Sequence, residues 1–329
     1  MTKFTWSLVL GIGLLFVGLV LHLFLGELQL SALQLWEVLI HRESDELAAL
    51  VVWKVRAPRA LAALGSGVVL GWLGLLMQVW FRNPLAGPGV LGITSGGSLG
   101  VALVVLFGIG IPTWVGASLG CLAVLVLIAF ASRKFASPVT TLVFGLMISY
   151  AVGASVTVLE SSATAEALQT FVFWGMGTFG KASLWQSFGA LVVLALVGVW
   201  MWCRSSWLES WMLGEDLAQT MGVRRQAFQL ELLLVAGFAL GWITSICGPL
   251  AFLGLATPHV YRFFHEPRGI RASLLGVALW GGVLALGADG VVRFMDISGW
   301  LHVPLNAVLA MLGAPVVVAV LWKQTHDWS

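Results

Sequence analysis

The stretch Leu213-Gly-Glu-Asp-Leu-Ala-Gln-Thr-Met-Gly-Val223 is a short polar island between long apolar runs. Helical spacing places Leu213, Leu217 and Met221 on one stripe, and the acidic pair near its start suits the positive end of a helix dipole. Gly222 supplies the left-handed residue that commonly ends a helix. We therefore predict an amphipathic helix whose apolar face is covered by another part of the chain or by a partner. On spacing alone, a capped surface helix that joins two spans is the simpler interpretation.

The apolar runs around this island indicate the fold class. Of the 329 residues, 59% are hydrophobic and 10% are charged, whereas a soluble domain carries about 25% charged residues. The stretches 83–132, 135–159, 182–203 and 232–261 contain no Asp, Glu, Lys or Arg, and each fits one or two crossings of about 20 apolar residues. We predict an all-α, polytopic transmembrane helical bundle that forms a single domain over residues 1–329.

The apolar runs divide into about ten membrane segments. The eighth is too short to cross alone and contains Gly and Pro, which is typical of broken helices beside a transport path. An even count puts both termini on one side, and the positive-inside rule makes that side cytoplasmic, because 11 of the 17 basic residues then lie inside and 6 outside. The predicted segments are 6–25, 60–81, 92–108, 113–131, 138–159, 185–203, 228–247, 250–261, 272–289 and 304–322.

Several function classes lack support in the sequence. The first span has no clear cleavage site, which favours an uncleaved helix over a signal peptide. Three scattered cysteines predict neither a disulfide framework nor a metal site, and the histidines lack paired ligand spacing. The net charge of +2 gives no indication of nucleic acid as a partner.

One glycine-rich string resembles a nucleotide-binding loop but lacks its context. Gly175-Met-Gly-Thr-Phe-Gly-Lys-Ala182 matches G-x-G-x-x-G and nearly matches G-x-x-x-x-G-K-[ST]. A phosphate loop needs a preceding β-strand and a Ser or Thr hydroxyl for Mg²⁺, whereas Ala182 has no hydroxyl and the flanking segments are helical. We therefore predict that this chain binds no nucleotide and no other cofactor.

Three strings resemble motifs of one transporter family. Asp216-Leu-Ala-x-x-x-Gly222 resembles the E-A-A-x-x-x-G motif of ABC importer permeases, and the whole of 213–223 is similar to its FecCD/BtuC version. Residues 82–96 resemble R-N-P-L-A-x-P-x-x-L-G-x-x-x-G, and residues 248–262 resemble G-P-[IL]-x-F-[IVL]-G-L-x-x-P-H-x-x-R. The resemblance extends from about Arg56 to Lys323, and members of this family import iron-siderophores, haem and vitamin B12.

The resemblance implies a role for the polar island and for the loop after the second span. In the family, the island docks into a cleft of an ATPase subunit, and the loop forms the cytoplasmic end of the path. The implied coupling residues are Leu213, Gly214, Glu215, Asp216, Leu217, Ala218 and Gly222. The implied gate residues are Asn83, Pro84 and Leu85, with Pro138 and Val139 across the next cytoplasmic turn.

Basic residues on the outer side have two interpretations. Arg56-Ala-Pro-Arg59 opens the second span, and two arginines that snorkel to the interface are the simpler interpretation. The resemblance implies instead that these arginines, together with Arg293, meet acidic residues of a substrate-binding protein. The planar guanidinium group suits bidentate binding of carboxylates.

The outer mouth of the path is implied by two further strings. Trp174 and Met176 lie in a segment similar to the family's W-x-x-G-[ST]-[FL], where they are candidates for substrate contact, although an interfacial aromatic belt is the simpler interpretation. Asn306 and Leu309 replace the Gly and Thr of the family's last-span motif. We expect Asn306 to face the bundle or the path. His259 we interpret as structural, bonded to backbone or to a neighbouring helix.

The resemblance implies the permease of an ATP-driven importer for iron chelates such as siderophores, with vitamin B12 or haem as alternative cargoes. The implied partners are a second copy of the chain, two ATPase subunits that bind ATP and Mg²⁺, and a periplasmic or lipid-anchored substrate-binding protein. The implied location is the bacterial cell inner membrane, with both termini cytoplasmic and no catalytic residue in this chain.

Two other classes make different demands on the sequence. An ion-coupled secondary transporter requires a charged residue at mid-span, and Asp289 and Glu231 lie near span ends. An intramembrane enzyme requires clustered His, Asp and Glu or a Ser/Lys pair within the spans, and the sequence shows neither.

Overall fold

The computed structural model describes residues 3–26, 28–40, 46–134, 138–265, 269–299 and 302–326, and their regular structure is helical. A π-helical segment, Val52–Arg56, joins the third and fourth helices. The helices are α1 Lys3–Phe24, α2 Ala32–Ile40, α3 Glu46–Val51, α4 Ala57–Trp80, α5 Ile93–Phe107, α6 Thr113–Lys134, α7 Pro138–Ser161, α8 Ala165–Gly175, α9 Leu184–Cys203, α10 Ser205–Leu213, α11 Glu215–Thr220, α12 Arg225–Cys247, α13 Leu253–Phe264, α14 Ile270–Ser298 and α15 Leu305–His326.

The helices confirm the predicted polytopic bundle. Among the described residues, seven stretches are long and apolar enough to cross a membrane, within α1, α3–α4, α6, α7, α9, α12 and α14. The apolar parts of α5 and α15 are shorter, and α13 has only 12 residues. Each of the ten predicted segments coincides with one of these helices, although helices of such different lengths make the number of full crossings approximate.

Helix α4 is the centre of the bundle. It is buried along most of its length and packs against α9, α13 and α14. Close approach depends on glycine, because a Cβ atom at Gly67 would collide with the carbonyl oxygen of Gly281, and one at Gly74 with that of Gly254. Small residues at helix contacts are how membrane bundles pack closely without a hydrophobic driving force between helices.

The predicted broken segment is real and begins slightly later than expected. Helix α12 ends at Cys247, and Gly248 and Phe252 have φ angles of +79° and +59° before α13 starts at Leu253. The 12 residues of α13 rise about 18 Å, less than the roughly 30 Å of a hydrocarbon core. The non-helical residues between α12 and α13 therefore lie inside the bundle, where other protein groups must satisfy their backbone.

The two ends of α4 divide the candidate functional residues into two groups. Arg56 and Arg59 lie at its beginning, and Arg82 follows its end. A Cβ atom at Gly214 would lie 3.7 Å from Nη1 of Arg82, so the 213–223 stretch lies near that second end. The 24 residues of α4 rise about 36 Å. We call the two sides of the molecule the arginine end and the α11 end.

Candidate functional site

The 213–223 stretch is not the single helix that its spacing predicted. Gly214 has a φ of +129°, which ends α10 at Leu213 and makes Gly214 the residue before α11. Its carbonyl oxygen accepts a hydrogen bond from the Ala218 amide at 2.9 Å, so the chain restarts a new helix at once. Gly222 behaves as predicted, with a φ of +89° after the end of α11.

All three residues of the predicted apolar stripe are exposed, although the break places Leu213 on α10 and Leu217 on α11. Leu213, Leu217 and Met221 are 66%, 48% and 60% exposed. On the opposite side, Ala218 and Val223 are buried and hold the segment to the bundle. The stripe therefore lies on a segment that packs against the bundle, and nothing in the described part of the chain covers the stripe itself.

The acidic residues of the segment differ in their surroundings. Glu215 forms an ion pair with Arg225 in the first turn of α12. Asp216, the residue that replaces the Glu of the permease motif, is exposed. Glu215 therefore helps to orient α11, whereas Asp216 is available to a partner.

The loop after α4 is held by one of its own side chains and by a side chain of α13. The Asn83 side-chain oxygen accepts a hydrogen bond from the Leu85 amide at 2.9 Å, and His259 bonds to the Pro84 carbonyl oxygen at 2.8 Å. The second contact confirms the structural interpretation of His259, and no cluster of three candidate metal ligands occurs in the part of the chain that the structure describes. Of the other predicted gate residues, Pro138 and Val139 begin α7, but their side chains lie outside the described residues.

Asn306 joins three elements at the predicted outer mouth. Its side-chain oxygen accepts from the Ala251 amide between α12 and α13 at 3.1 Å, and its side-chain nitrogen donates to the Gly175 carbonyl at the end of α8 at 3.1 Å. Its own amide donates to the Met176 carbonyl at 3.3 Å. Of the two predicted orientations, Asn306 adopts the one that faces the bundle, where it satisfies part of the broken backbone.

The other residues of the predicted outer mouth form a structural turn. Trp174 donates a hydrogen bond to the Ser245 carbonyl at 3.1 Å, and Met176 is 41% exposed. The 175–182 string follows the helix α8 rather than a β-strand, and Lys181 lies 5.6 Å from the ring centre of Phe173. The lysine therefore contacts an aromatic face and not the turn that a phosphate would occupy.

At the arginine end, a buried acid joins three helices. Arg59 donates to both carboxylate oxygens of Asp289, at 2.8 and 2.9 Å, and the His22 ring nitrogen Nε2 lies 3.0 Å from the same carboxylate. Asp289 and His22 are each 1% exposed. This cluster links α1, α4 and α14 at the arginine end of the bundle.

The other two arginines bind the end of α1. Arg56 donates to the carbonyl oxygens of Leu23, at 2.6 Å, of Phe24, at 3.1 Å, and of Leu28. Arg293 donates to those of His22, at 2.7 Å, and Leu25. The last carbonyls of a helix have no partner within the helix, so the two guanidinium groups supply the missing donors from distant parts of the chain.

The burial of Arg56 and Arg293 bears on their predicted docking role. Arg56 and Arg293 are 1% and 5% exposed, so they are not the free, outward-facing donors that direct docking requires. The sequence analysis missed their capping role, because their acceptors are backbone carbonyls that lie up to 271 residues away and carry no side-chain pattern. Arg59 is the more accessible of the three, with 16% of its side chain exposed. Whether these residues contribute to docking stays a prediction.

The two acids that an ion-coupled transporter would need are already paired. Asp289 binds Arg59 and His22, and Glu231 accepts from Arg204 at 2.7 and 2.8 Å. Neither carboxylate is free to take a proton or cation without breaking an arginine pair.

Comparisons with known proteins identify one transport family, and the matches extend over most of the chain. The pattern that describes the FecCD transport family matches residues 14–323. The chain is 32% identical to the vitamin B12 import system permease protein BtuC of Yersinia enterocolitica serotype O:8 over 287 residues. The aligned region covers 85% of this chain and 84% of that protein. It is 34% identical over 285 residues to the protein of the same name from Salmonella typhi, covering 84% and 85%.

Solved structures show the same architecture. One, described as an inward-facing conformation of a metal-chelate type ABC transporter, superposes with a TM-score of 0.82 at 27% identity and covers 97% of this chain and 99% of that one. PsaBC from Streptococcus pneumoniae superposes with a TM-score of 0.58 at 16% identity, covering 86% and 94%, and supports the fold alone.

Proposed function

This chain belongs to the FecCD transport family and is an ABC importer permease, and we propose that its cargo is an iron chelate such as a siderophore. Vitamin B12 is the second candidate, because it is the cargo in the names of the similar permeases. Haem is a third candidate within the same family. All three are bulky metal chelates, which require a wide path.

The exposed stripe of α11 is the observation that carries the proposed coupling to ATP. Leu217 on α11 and Met221 directly after it are exposed, and the other side of this short helix is anchored by buried Ala218. An apolar helix face of this kind fits a groove on a partner. We propose that the groove belongs to a separate ATPase that binds ATP and Mg²⁺. The permease itself then holds no cofactor and forms no bond, and it changes between outward-open and inward-open states as the ATPase closes and reopens.

Helix α7 supports the proposal of a second permease copy. Only 6% of its membrane window is buried, against 89% for the window that includes α4. We propose that a second copy packs against α7 and that the path runs between the copies. A cavity of about 300 Å³ between the 88–94 loop and the α12–α13 break, lined by Thr94, Pro249 and Phe252 among others, would form part of that path.

The arginine end is the proposed docking site for a substrate-binding protein, periplasmic or lipid-anchored. Arg59 is partly accessible, and Lys54 and Lys181 are exposed basic residues of the same side. We propose that these three meet acidic groups of the partner, while Arg56 and Arg293 support the surface by holding the end of α1. In this arrangement the chain lies in the bacterial inner membrane with both termini in the cytoplasm.

Reconstitution tests this function directly. The chain, its ATPase and its substrate-binding protein are reconstituted in liposomes, and uptake of a ferric siderophore, vitamin B12 and haemin is measured with and without ATP and a proton ionophore. We expect ATP-dependent uptake of one chelate that the ionophore does not abolish. Uptake without the ATPase, driven by an ion gradient, would instead support a secondary transporter.

A further inference from the structure

A cavity of about 480 Å³ lies at the α11 end, between α4, α10, α13 and the beginning of α14. It is separate from the apolar cavity beside the α12–α13 break. Its wall includes Gln78, Arg82, Glu209, Tyr261 and Arg262. The volume falls in the range of about 300–1,000 Å³ that is usual for small-molecule sites.

Two side chains of this wall are buried without a hydrogen-bond partner. Gln78 is 4% exposed, and neither its amide nitrogen nor its amide oxygen is bonded within the described part of the chain. Tyr261 is 2% exposed, and its hydroxyl group is equally without a partner. Each such group destabilises the fold when it is desolvated and unpaired. Unpartnered polar side chains in the wall of a cavity indicate a place where a polar ligand can bind.

The charges of the wall favour an anion. Arg82 and Arg262 form no ion pair with any described residue. Glu209 is the one acidic residue of the wall, and one of its oxygens accepts the Ile270 amide at 2.7 Å at the beginning of α14. The wall therefore carries two guanidinium groups against one carboxylate that is partly occupied, and arginine binds phosphate and carboxylate oxygens in bidentate fashion.

We propose that this cavity binds a phosphate-bearing anion, either free phosphate or the headgroup of an anionic lipid. Arg82 and Arg262 hold the phosphate oxygens, and Gln78 and Tyr261 complete the contacts. The cavity lies where α4 and α13 end, the level at which lipid headgroups border a membrane protein.

The position of the cavity gives the ligand a structural consequence. Arg82 and Pro84 of its wall belong to the predicted gate loop, and Met212 of its wall directly precedes Leu213. An anion bound there would hold the gate loop and the segment before α11 in one arrangement. The binding itself does not depend on an ATPase partner, so it can be tested on the permease alone.

Calorimetric titration of inorganic phosphate into the full-length chain in zwitterionic nanodiscs tests the site. We expect saturable binding that Arg262→Gln weakens about tenfold or more, since a lost charge-assisted bond is worth at least 1.4 kcal/mol. Arg224→Gln is the matched control, because Arg224 is an exposed base near α11 that does not line the cavity. Gln78→Leu should weaken binding and yet raise the unfolding temperature, because it removes two unpartnered buried polar atoms.

A second measurement identifies the source of the phosphate. Native mass spectrometry compares retention of phosphatidylglycerol with that of phosphatidylcholine by the wild-type chain and the same variants. Retention of phosphatidylglycerol that Arg262→Gln removes, without binding of free phosphate, assigns the site to a lipid headgroup. Absence of any anion binding that responds to Arg262→Gln or Gln78→Leu overturns the proposal and leaves a cavity that holds water.

Discussion

The regions near the two ends of α4 both contain residues for which the sequence analysis predicted a partner. They differ in whether the chain itself supplies the contacts of those residues. At the α11 end, Leu217 and Met221 are exposed and have no cover in the described chain. At the arginine end, Arg56 and Arg293 are buried, and their donors bind carbonyl oxygens of α1. An apolar stripe or an unpaired arginine in the sequence therefore predicts a binding partner. The structure shows whether that partner is another protein or a different part of the same chain.

The first prediction concerns the buried carboxylate of Asp289 at the arginine end. Asp289→Asn removes the charge that neutralises Arg59, and loss of one partner of a buried ion pair costs about 3–5 kcal/mol. We expect a loss of this size in thermal or denaturant unfolding of the purified chain. Glu231→Gln is the control, because it breaks the Arg204 pair, in which both side chains are about one-third exposed, and such pairs contribute about 1 kcal/mol or less. Equal losses in the two variants would contradict the internal role of Asp289.

The second prediction concerns the exposed apolar side chains at the α11 end. Leu217→Gln combined with Met221→Gln removes two of the three exposed apolar side chains of the stripe and leaves the buried Ala218 and Val223 in place. We expect affinity for the ATPase to fall about 30-fold or more, which corresponds to about 2 kcal/mol at an interface hot spot. Stability should change by only about 0.5 kcal/mol, as for other surface substitutions. The exposed Gln219→Ala of the same helix should leave the affinity unchanged. Wild-type affinity in the double variant would show that the ATPase binds elsewhere.

The structure also explains why this pair is a sharper probe than charge reversal in the same helix. Glu215 binds Arg225, so reversal of Glu215 would disturb the seating of α11 as well as any partner contact. Reversal of Asp216, which is exposed, changes the partner surface alone.

The third prediction separates capping from docking. Arg56→Gln leaves carbonyl oxygens of Leu23, Phe24 and Leu28 without their guanidinium donor, at a cost of roughly 1–3 kcal/mol. We expect faster hydrogen exchange at the end of α1 and lower stability in the isolated permease. Lys54→Gln, two positions earlier and exposed, should change neither. Normal exchange in Arg56→Gln would mean that α1 is held without this arginine.

The same contrast shows what the sequence can and cannot reveal. Long runs without charged residues predict the helical bundle, and helical spacing predicts that Leu217 and Met221 share a face. Both patterns can be recognised in the sequence because they involve residues that are close together in the chain. The break at Gly214 required a backbone angle of +129° that a permissive glycine allows but does not impose. The acceptors of Arg293 lie more than 260 residues away on α1, and backbone carbonyls carry no residue identity that a motif could report.

The last prediction carries the smallest expected effect and concerns the docking role itself. Lys54 and Lys181 are the exposed bases at the arginine end, and rim charges govern encounter rate and salt sensitivity more than affinity. Lys54→Glu with Lys181→Glu should slow association of the binding protein and flatten its salt dependence. The affinity should change by only about 0.2–1 kcal/mol per pair, without loss of permease stability. Surface-plasmon measurements at two salt concentrations check both quantities, and a Glu→Arg change on the binding protein should recover part of the loss.

The alternative outcome of that experiment is equally informative about the buried arginines. If the lysine variants leave association and its salt dependence unchanged while Arg59→Gln weakens docking, the partner reaches Arg59 directly. The partner's carboxylate must then compete with Asp289 for the same guanidinium group. Docking would in that case loosen the link between α1, α4 and α14, and the arginine end would act as a contact that is internal at rest and shared with the partner in the complex.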